Sequence, residues 1–522
     1  MTPNERTVYC MRSILRWFLM KRAAPFRAAS IGRNGRPFGG RRRIQAVKGA
    51  GYPAALVAGF GLLTGCLDIG PPYERPAVVP VPPAYEQAAT RGEPVPFDDR
   101  WWRIFDDPDL NRVMAVVLTH NWDIQRTAER ILELRALAGQ ARASRFPQID
   151  LDWENRKEVR RRPASGPSGD GDDRDTRSNY TLALPLSFEV DLWGRLARAE
   201  EAARAEILSA EANRRAVAQT VAAEALALYF EIESIERNLA ISKRLIDNFK
   251  RNLQLVRRRY ERGLASALDL RQARRILAES EAAIPLLRRD LGARQHRLAI
   301  LMGRYPSAAP AREHPGDYGV RLPEVPPGLP SDLLRRRPDI QAVEARLVAL
   351  NARIAEALAS RFPRIVLTGR FGYQSSHLDQ LLRTESELWS LANGITQPIF
   401  DAGRLKEGQA AAEARYRQGV ADYARTVLTA FAEVEDALLA RREQVARREL
   451  VGGFLEEARQ TQLLAEKRYT RGLTRYLEVL DAQRTRFLAE RDLVEADLAL
   501  YINRINLWLA LGGQWGEPGD VP

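Results

Sequence analysis

The chain has 522 residues, 28% of them charged, with a formal net charge of +13. Residues 1–65 contain 12 of the 80 basic residues and one of the 67 acidic residues. From Cys66 onward the chain therefore has 68 basic and 66 acidic residues. That near balance excludes the basic surface of a nucleic-acid-binding protein. The two cysteines are Cys10 and Cys66, so a chain that begins at Cys66 cannot form a disulfide framework. The four histidines are scattered and do not have the spacing of metal ligands.

A leader comes first in the chain. Residues 54–63 (AALVAGFGLL) form an apolar core of about 10 residues after basic residues, the order typical of a secretory signal. This core is too short to span a bilayer, which takes about 20 residues. It ends in Leu63-Thr64-Gly65-Cys66, which resembles the bacterial lipobox. We therefore expect residues 1–65 to be a leader and Cys66 to carry a diacylglyceryl group and an N-acyl chain.

The residue after this cysteine indicates the membrane. In enteric bacteria an Asp at that position retains a lipoprotein in the inner membrane, whereas this chain has Leu67. We therefore expect an outer-membrane location, with lipid held by the acyl chains on Cys66. No other cofactor is expected.

The rest of the chain is an internal duplication. Three segments return at a constant offset of 209 residues, namely 194–206 at 403–415, 258–274 at 467–483 and 297–303 at 506–512. A register that never slips indicates rigid helices, because loops accumulate insertions and deletions. A fourth segment returns at an offset of 216, 141–153 at 357–369, so a loop between them differs in length.

These boundaries divide the chain into six parts. They are the leader 1–65, an extended N-terminal segment 66–106, repeat 1 at 107–303, a linker 304–330, repeat 2 at 331–512 and a tail 513–522.

The repeats contain very long helices. The composition of residues 107–145 predicts one helix, and residues 195–262, which lack Pro and Gly, predict one helix of about 65 residues and about 100 Å. A further helix is predicted at 266–302, interrupted at Pro285 and Gly292, and repeat 2 copies the last two helices at 404–471 and 474–511. Narrow apolar seams on such helices indicate lateral packing against other helices.

Between the helices the period of the apolar residues becomes two. Ile149, Leu151 and Trp153 alternate with acidic residues, which predicts a strand in a hairpin at 146–193. That hairpin has a polar loop at 161–178 and a second strand at 179–193. A second hairpin is predicted at 362–400, with a loop at 375–386 and a strand at 388–400. Alternation with aromatic ends is typical of membrane barrel strands, although hairpins on a soluble core are the alternative.

Four strands cannot close a barrel in lipid, where an open edge leaves backbone groups without partners. Bacterial barrels begin at about eight strands. The chain must therefore assemble with copies of itself if these strands span a membrane. Two, three or four copies would provide about eight, twelve or sixteen strands, and the pattern alone does not choose among them.

Several motifs resemble a known family. They include GPPYERP at 70–76, WWRIFDDP at 101–108, FEVDLWGRL at 188–196, LPSDLLRRRPDI at 329–340 and QPIFDAGRL at 397–405. They are similar to TolC-type outer-membrane channels, in the OprM/NodT-like lipoprotein branch of the efflux family. The resemblance implies an α+β membrane protein that forms a homotrimer, with a shared twelve-stranded outer-membrane β-barrel and a long periplasmic α-helical barrel.

The resemblance also implies partners and site residues. The partners are a periplasmic membrane-fusion adaptor and an inner-membrane pump of the resistance–nodulation–division (RND) kind. The turns that form the periplasmic tip, with candidate adaptor contacts, are Arg262, Gly263, Leu264, Arg471, Gly472 and Leu473. The resemblance further implies that the duct closes near that end with a ring of acidic residues on an inner helix, and residues 431–443 resemble that segment. Asp436 is the first candidate for this gate, Glu433 the second, and Arg441 a candidate ion-pair partner.

Two other functions remain open at this point. The same architecture serves type I protein secretion, although the lipobox favours efflux of small molecules such as drugs, toxic compounds or metal ions. A lipid-anchored periplasmic coiled-coil scaffold without a pore is the other alternative. The sequence contains no HExxH, GxSxG or Walker motif, so we do not expect an enzyme.

Overall fold

The computed structural model describes residues 69–87, 100–161, 174–307 and 330–513. All of them belong to one compact unit that begins at Gly65. The leader, Cys66 and nearly all of the predicted linker and tail lie outside the described residues.

Each repeat contains two shorter helices, a strand pair and two long helices. In repeat 1 these are α1 (Pro108–His120), α2 (Trp122–Ala143), β1 (Gln148–Ile149), β2 (Asp152–Arg161), β3 (Arg174–Val190), α3 (Arg195–Glu261) and α4 (Ala267–Leu301). In repeat 2 they are α5 (Pro330–Arg336), α6 (Pro338–Ala359), β4 (Arg364–Ser375), β5 (Glu387–Thr396), α7 (Arg404–Thr470) and α8 (Tyr476–Ala510).

The long helices confirm the helix prediction. α3 and α7 have 67 residues each, which is about 100 Å at 1.5 Å per residue. Each begins after a glycine in the left-handed conformation, Gly194 (φ 73°) or Gly403 (φ 86°). Ahead of these glycines, Asp191 accepts hydrogen bonds from the amides of residues 196 and 197, and Asp401 accepts from those of residues 403 and 405. α4 runs through Pro285 and Gly292 without the predicted interruption.

The prediction of one helix over 107–145 was wrong. Asn121 has an extended backbone (φ −68°, ψ 127°) and separates α1 from α2, because its side chain accepts from the amides of Asp123 and Ile124. Arg337 makes the corresponding break between α5 and α6.

The two breaks are related by the duplication. The side-chain amide of Asn121 donates to the carbonyl of Leu301 at 3.0 Å, and Arg337 donates to the carbonyl of Ala510 at 3.0 Å. Because Leu301 and Ala510 differ by the repeat offset of 209, both repeats join a helix break to the end of their last helix.

The strands form one antiparallel sheet in the order β1/β2–β3–β4–β5. β1 and β2 keep a single register against β3 and are separated only beside Pro185, which has no amide hydrogen to donate. The predicted loop 161–178 was too long, because β3 already begins at Arg174, opposite Arg161. The last strand ends at Thr396 rather than residue 400, shortly before Pro398.

Two apolar clusters fix the helices around mid-length. In the first, the ring of Phe230 meets Phe105 at 4.7 Å and stacks on Tyr501 at 4.9 Å. In the second, Tyr85 packs with residues of α5, α6, α7 and α8. The N-terminal segment therefore contributes to the same core as the repeats.

Candidate functional site

The sheet has one apolar and one polar face. Residues paired across antiparallel strands share a face, so the register places Leu184, Phe371 and Trp389 together on one side. Trp389 is 75% exposed in the single chain. The opposite face carries the polar side chains Thr181, Ser187, Thr368, Arg370 and Ser390. This alternation confirms the predicted pattern.

Aromatic residues mark both ends of the apolar face. At the far end the rings of Trp153 and Tyr180 lie 6.4 Å apart. At the helix end Trp193 stacks on Phe362 at 5.0 Å. Residues 180–190 rise about 33 Å along β3 at 3.3 Å per residue, which is about 25 Å across a membrane at the tilt usual for barrel strands. The band matches the apolar height of an outer-membrane barrel.

Both edges of the sheet are open. β2 pairs only with β3, and β5 pairs only with β4, among the residues that the structure describes. An open edge in hydrocarbon leaves several backbone donors and acceptors without partners. The sheet can therefore enter a bilayer only when other strands cover both edges.

Ion pairs join the sheet to the long helices. Arg195 at the start of α3 donates to Glu189 of β3 at 2.9 Å, and Arg364 of β4 lies 3.6 Å from the same carboxylate. Just below, the buried Glu200 accepts from Arg145 at 2.7 Å and also from Arg204. These bonds fix the direction in which the helices leave the strands.

The N-terminal segment, residues 69–87, runs antiparallel to α6. Its start lies beside the sheet end of that helix, where Asn351 donates to the carbonyl of Pro71 at 3.0 Å. Further along, Arg75 forms a two-bond ion pair with Glu344, at 2.6 and 2.5 Å. Cys66, four residues before Gly70, itself lies outside the described residues. The segment therefore leads from the sheet end of the molecule toward mid-length of α7.

A carboxylate of α7 holds the other end of this segment. The two oxygens of Glu435 accept from the amides of Glu86 and Gln87 at 2.8 and 3.0 Å. Burial, with the Glu435 charge nearby, raises the pKa of Tyr85 above its usual value. The contact places residues 85–87 at the level of the predicted gate residues.

The gate candidates lie far from the tip. Asp436 precedes Arg471 by 35 residues, about 50 Å along α7, so their expected position near the periplasmic turns was wrong. Glu433 forms an ion pair with Arg337 at 2.6 Å. Glu433 and Asp436 line one end of a cleft of about 600 Å³ between α7 and α8. Their role in closing a duct stays a prediction.

Arg441 does not form the expected ion pair with Asp436. Within the described ranges no carboxylate lies within ion-pair distance of Arg441. Burial and the charge of Arg441 lower the pKa of Arg504 to about 10. Arg441 therefore raises the positive potential around a buried arginine of α8.

The two predicted tips share one geometry. Gly263 (φ 72°) and Gly472 (φ 74°) take the left-handed conformation, which a residue with a Cβ adopts only with strain. Leu264 and Leu473 each donate an amide hydrogen back to the helix, to Arg259 at 2.8 Å and to Arg468 at 2.9 Å. The remaining tip candidates, Arg262 and Arg471, occupy the C-caps of α3 and α7. The leucine side chains are exposed and available to a partner.

Sequence reasoning missed an acid close to the tip. Glu466 lies five residues before Arg471 and accepts from Gln462 at 2.7 Å and from Gln483 of α8 at 2.9 Å. Asn252 of α3 donates to the same Gln483 at 3.1 Å. The repeated RY-x-RG turn could have directed attention to the acids that precede it.

The described residues contain neither a membrane-spanning helix nor a metal-binding cluster. No helix there is both long and apolar enough to cross a bilayer. No group of three or more His, Cys, Asp or Glu side chains there could hold a metal ion.

Comparison with known proteins assigns the chain to a family. The model of the family described as outer membrane efflux protein matches residues 114–304 and 329–513. The chain belongs to this family. It is 34% identical over 472 residues to the outer membrane protein OprJ of Pseudomonas aeruginosa. The aligned region covers 90% of this chain and 96% of OprJ.

Two further comparisons agree. The chain is 31% identical over 467 residues to SilC of Salmonella typhimurium, named a probable outer membrane lipoprotein, with 87% of this chain and 97% of SilC covered. Its structure is similar to the outer-membrane channel OprN, with a TM-score of 0.78, 29% identity, and 86% and 99% of the two chains covered. The predicted α+β channel fold, efflux function and outer-membrane location are confirmed.

Proposed function

We propose that three copies of this chain form the exit duct of a tripartite efflux system. The observation that carries the proposal is the sheet, which combines an apolar face about 25 Å high with two open edges. Strands from neighbouring copies would pair with these edges and close a barrel of twelve strands. The number three rests on the family resemblance, because the open edges require only more than one copy.

The polar face of the sheet supports an aqueous duct. Thr181, Ser187, Thr368 and Ser390 would face the interior of the closed barrel, while the aromatic residues face lipid. The long helices below would continue this interior as a second tube. Solutes would diffuse passively through such a duct. Export against a gradient would therefore be driven by an inner-membrane RND pump.

The partner at the far end would be a periplasmic adaptor. The tips at residues 262–264 and 471–473 lie about 100 Å of helix away from the sheet, and both present an exposed leucine next to arginines. Such small apolar knobs with cationic neighbours suit a helical hairpin from another protein. Small solutes such as drugs, toxic compounds or metal ions are the proposed cargo.

A lipid on Cys66 would anchor each copy. Asn351 holds Pro71 beside the sheet end of α6, and the four residues between Cys66 and Pro71 would bring the acyl chains to the membrane surface. The lipoprotein name of SilC supports this modification.

Conductance in planar bilayers tests the proposed duct. Purified protein should give discrete, long-lived conductance steps, and a variant with Trp389→Asp on the apolar face should insert poorly. Protein that associates with the bilayer without conducting would support the scaffold alternative instead.

Co-purification with a cross-linked adaptor from membranes tests the proposed tip contacts separately. The adaptor should be lost from the purified sample of the double variant Leu264→Asp/Leu473→Asp.

A further inference from the structure

The cleft between α7 and α8 has an apolar floor and an acidic rim. Its volume of about 600 Å³ is that of a site for a drug-sized ligand. No Lys or Arg of the described residues lines it. The floor consists of alanines of both helices with Leu498, Ile502 and Leu509. The rim consists of the exposed carboxylates of Glu433, Asp436 and Glu495. This lining favours a ligand that combines an apolar body with a positive charge.

The same groove in repeat 1 is filled by cations of the chain itself. At the offset of 209 residues, α3 corresponds to α7 and α4 corresponds to α8. Arg297 of α4 reaches across the groove to Glu224 of α3 at 2.7 Å. Arg294 reaches in the same way to Glu231 at 3.2 Å. Two guanidinium groups therefore occupy in repeat 1 the place that is open in repeat 2.

Repeat 2 keeps an acid of this groove and lacks both arginines. Glu433 is the counterpart of Glu224, whereas Asn503 and Asn506 stand at the positions of the two arginines. The side-chain amide of Asn503 donates to the carbonyl of Ala437 at 2.8 Å. Because an asparagine side chain is too short to cross the groove as an arginine does, the cleft stays open and its acidic side lacks the internal cation.

The acids of the rim differ in how far they are already paired. Glu433 forms the ion pair with Arg337 at 2.6 Å. Asp436 has no ion-pair partner among the residues that the structure describes. At the other end of the cleft the side-chain oxygen of Gln444 is buried and accepts no hydrogen bond within the described ranges. Asp436 is therefore the carboxylate open to an incoming cation, and Gln444 offers a second acceptor.

The cleft lies on the bare side of α8. Trp508 stacks on Trp101 of the N-terminal segment at 5.2 Å, so this segment covers one side of the helix. Glu495 and Asn506 are exposed and lie 11 residues apart, on one line nearly opposite Trp508 at 100° per residue. In the proposed duct, the side of the long helices that the N-terminal segment leaves uncovered would face the interior.

We propose that this cleft binds monovalent organic cations with an apolar body of drug-like size. The carboxylate of Asp436 pairs with the positive group of the ligand, and the leucines and isoleucine of the floor contact its apolar body. The inference rests on the proposed function for the position of the cleft inside the duct, and it names one chemical class of the cargo. A cation would be held there for a short time on its way along the duct.

Dye binding tests the charge preference of the cleft. Tetramethylrhodamine ethyl ester is a xanthene dye with one positive charge, and fluorescein has the same ring system with negative charge. Fluorescence anisotropy with the protein in a nonionic detergent should show saturable binding of the cationic dye and none of fluorescein. Equal binding of the two dyes overturns the role of the carboxylates.

Two variants address the cleft itself. Asp436→Asn removes the carboxylate that has no partner, so the dissociation constant of the cationic dye should rise about tenfold, as expected for the loss of one charge-assisted contact. Asn506→Arg restores the arginine of repeat 1, whose side chain would reach Glu433 across the groove. This variant should abolish binding of the dye.

A matched control removes the same charge from α7 outside the cleft. Glu443 does not line the cleft and is 65% exposed beside Arg442, so Glu443→Gln should leave the dissociation constant unchanged. If Asn506→Arg fails to fold, as judged by circular dichroism, the comparison of Asp436→Asn with Glu443→Gln decides alone, because both acids are exposed.

The outcomes separate this inference from the proposed function. Protein that conducts in bilayers but binds the cationic dye no better after wild type is compared with Asp436→Asn overturns the site and leaves the duct standing. Dye binding that both cleft variants weaken, in protein that does not conduct, supports the site and overturns the duct. Equal weakening by Glu443→Gln overturns the site, since it shows only a general effect of negative charge.

Discussion

At the scale of single residues, buried charges are placed where helices cross. Burial by itself would lower the pKa of Arg337, but the hydrogen bonds and charges of Asp339 and Glu433 outweigh burial and raise that pKa. The pKa of the Glu200 carboxyl lies below its usual value, and the hydrogen bond from Arg145 is the largest cause. Removal of one partner from such a buried pair leaves an uncompensated charge and lowers the stability of the fold.

Glu200 gives a prediction about pH. A carboxyl whose pKa is lower in the folded state stabilises the fold above its unfolded pKa, and this contribution is lost as pH falls through the folded pKa. Glu200→Gln should therefore destabilise the protein at neutral pH by about 1–3 kcal/mol. The difference from wild type should shrink below about pH 4.

Thermal melting of both proteins in detergent over a pH series measures this effect. Glu201→Gln is the matched control, because Glu201 is the next residue and its side chain is 44% exposed. A Glu200→Gln deficit that stays constant down to acid pH would contradict the role of the ionised carboxylate.

The position of the gate gives a second prediction. The resemblance implies that the duct closes near the tip, where Glu466 lies, whereas Asp436 lies at mid-length of α7. Glu466→Gln should therefore change channel conductance and cation preference more than Asp436→Asn does. Single-channel recording of the two isosteric variants measures both quantities. The opposite order of effects would return the gate to Asp436.

At the scale of elements, the N-terminal segment acts as a strap from the sheet end to mid-length of α7. Two of its polar anchors are the Arg75–Glu344 ion pair and the bonds from residues 86 and 87 to Glu435. The first is half exposed, so about 1 kcal/mol or less is expected from it. The second satisfies two backbone donors at once and holds the end of the described segment.

Loss of the second anchor should loosen the strap. Glu435→Ala should increase tryptic cleavage at Arg75 severalfold, because unfolding of the segment exposes its backbone. Limited proteolysis followed by mass spectrometry gives the rate. Glu449→Ala, a change of an exposed acid on the same helix, should leave the rate unchanged, and equal rates for both variants would show that Glu435 does not hold the strap.

The elements differ in how far the sequence predicts them. The absence of Pro and Gly predicted α3, the internal repeat predicted α7 as its copy, and alternation predicted β2, β3 and β4. The break at Asn121 was missed because a single cap residue ended the helix inside a strongly helical composition. The early start of β3 was missed because polar residues 174–178 pair with β2 without apolar alternation. The position of Asp436 at mid-length of α7 follows from the sequence itself, because 35 residues of predicted helix separate it from Arg471.

At the scale of the whole molecule, the proposed lipid on Cys66 and the proposed barrel would both hold the protein in the membrane. Cys66→Ser should abolish acylation, detected as loss of the lipid mass from the mature chain. If another signal exports the protein, the strap and sheet should still fold, because the contacts that hold them join protein groups to one another. A lipid mass shift that persists in the variant would contradict acylation at Cys66.

We propose that strands of other copies cover the open edges of β2 and β5. Native mass spectrometry of the purified protein in mild detergent tests it most directly, since it counts chains while the apolar face stays covered. We expect three chains per complex, and circular dichroism of the same sample should show the strand content of β1 to β5. A folded single chain with the same strand content would contradict it.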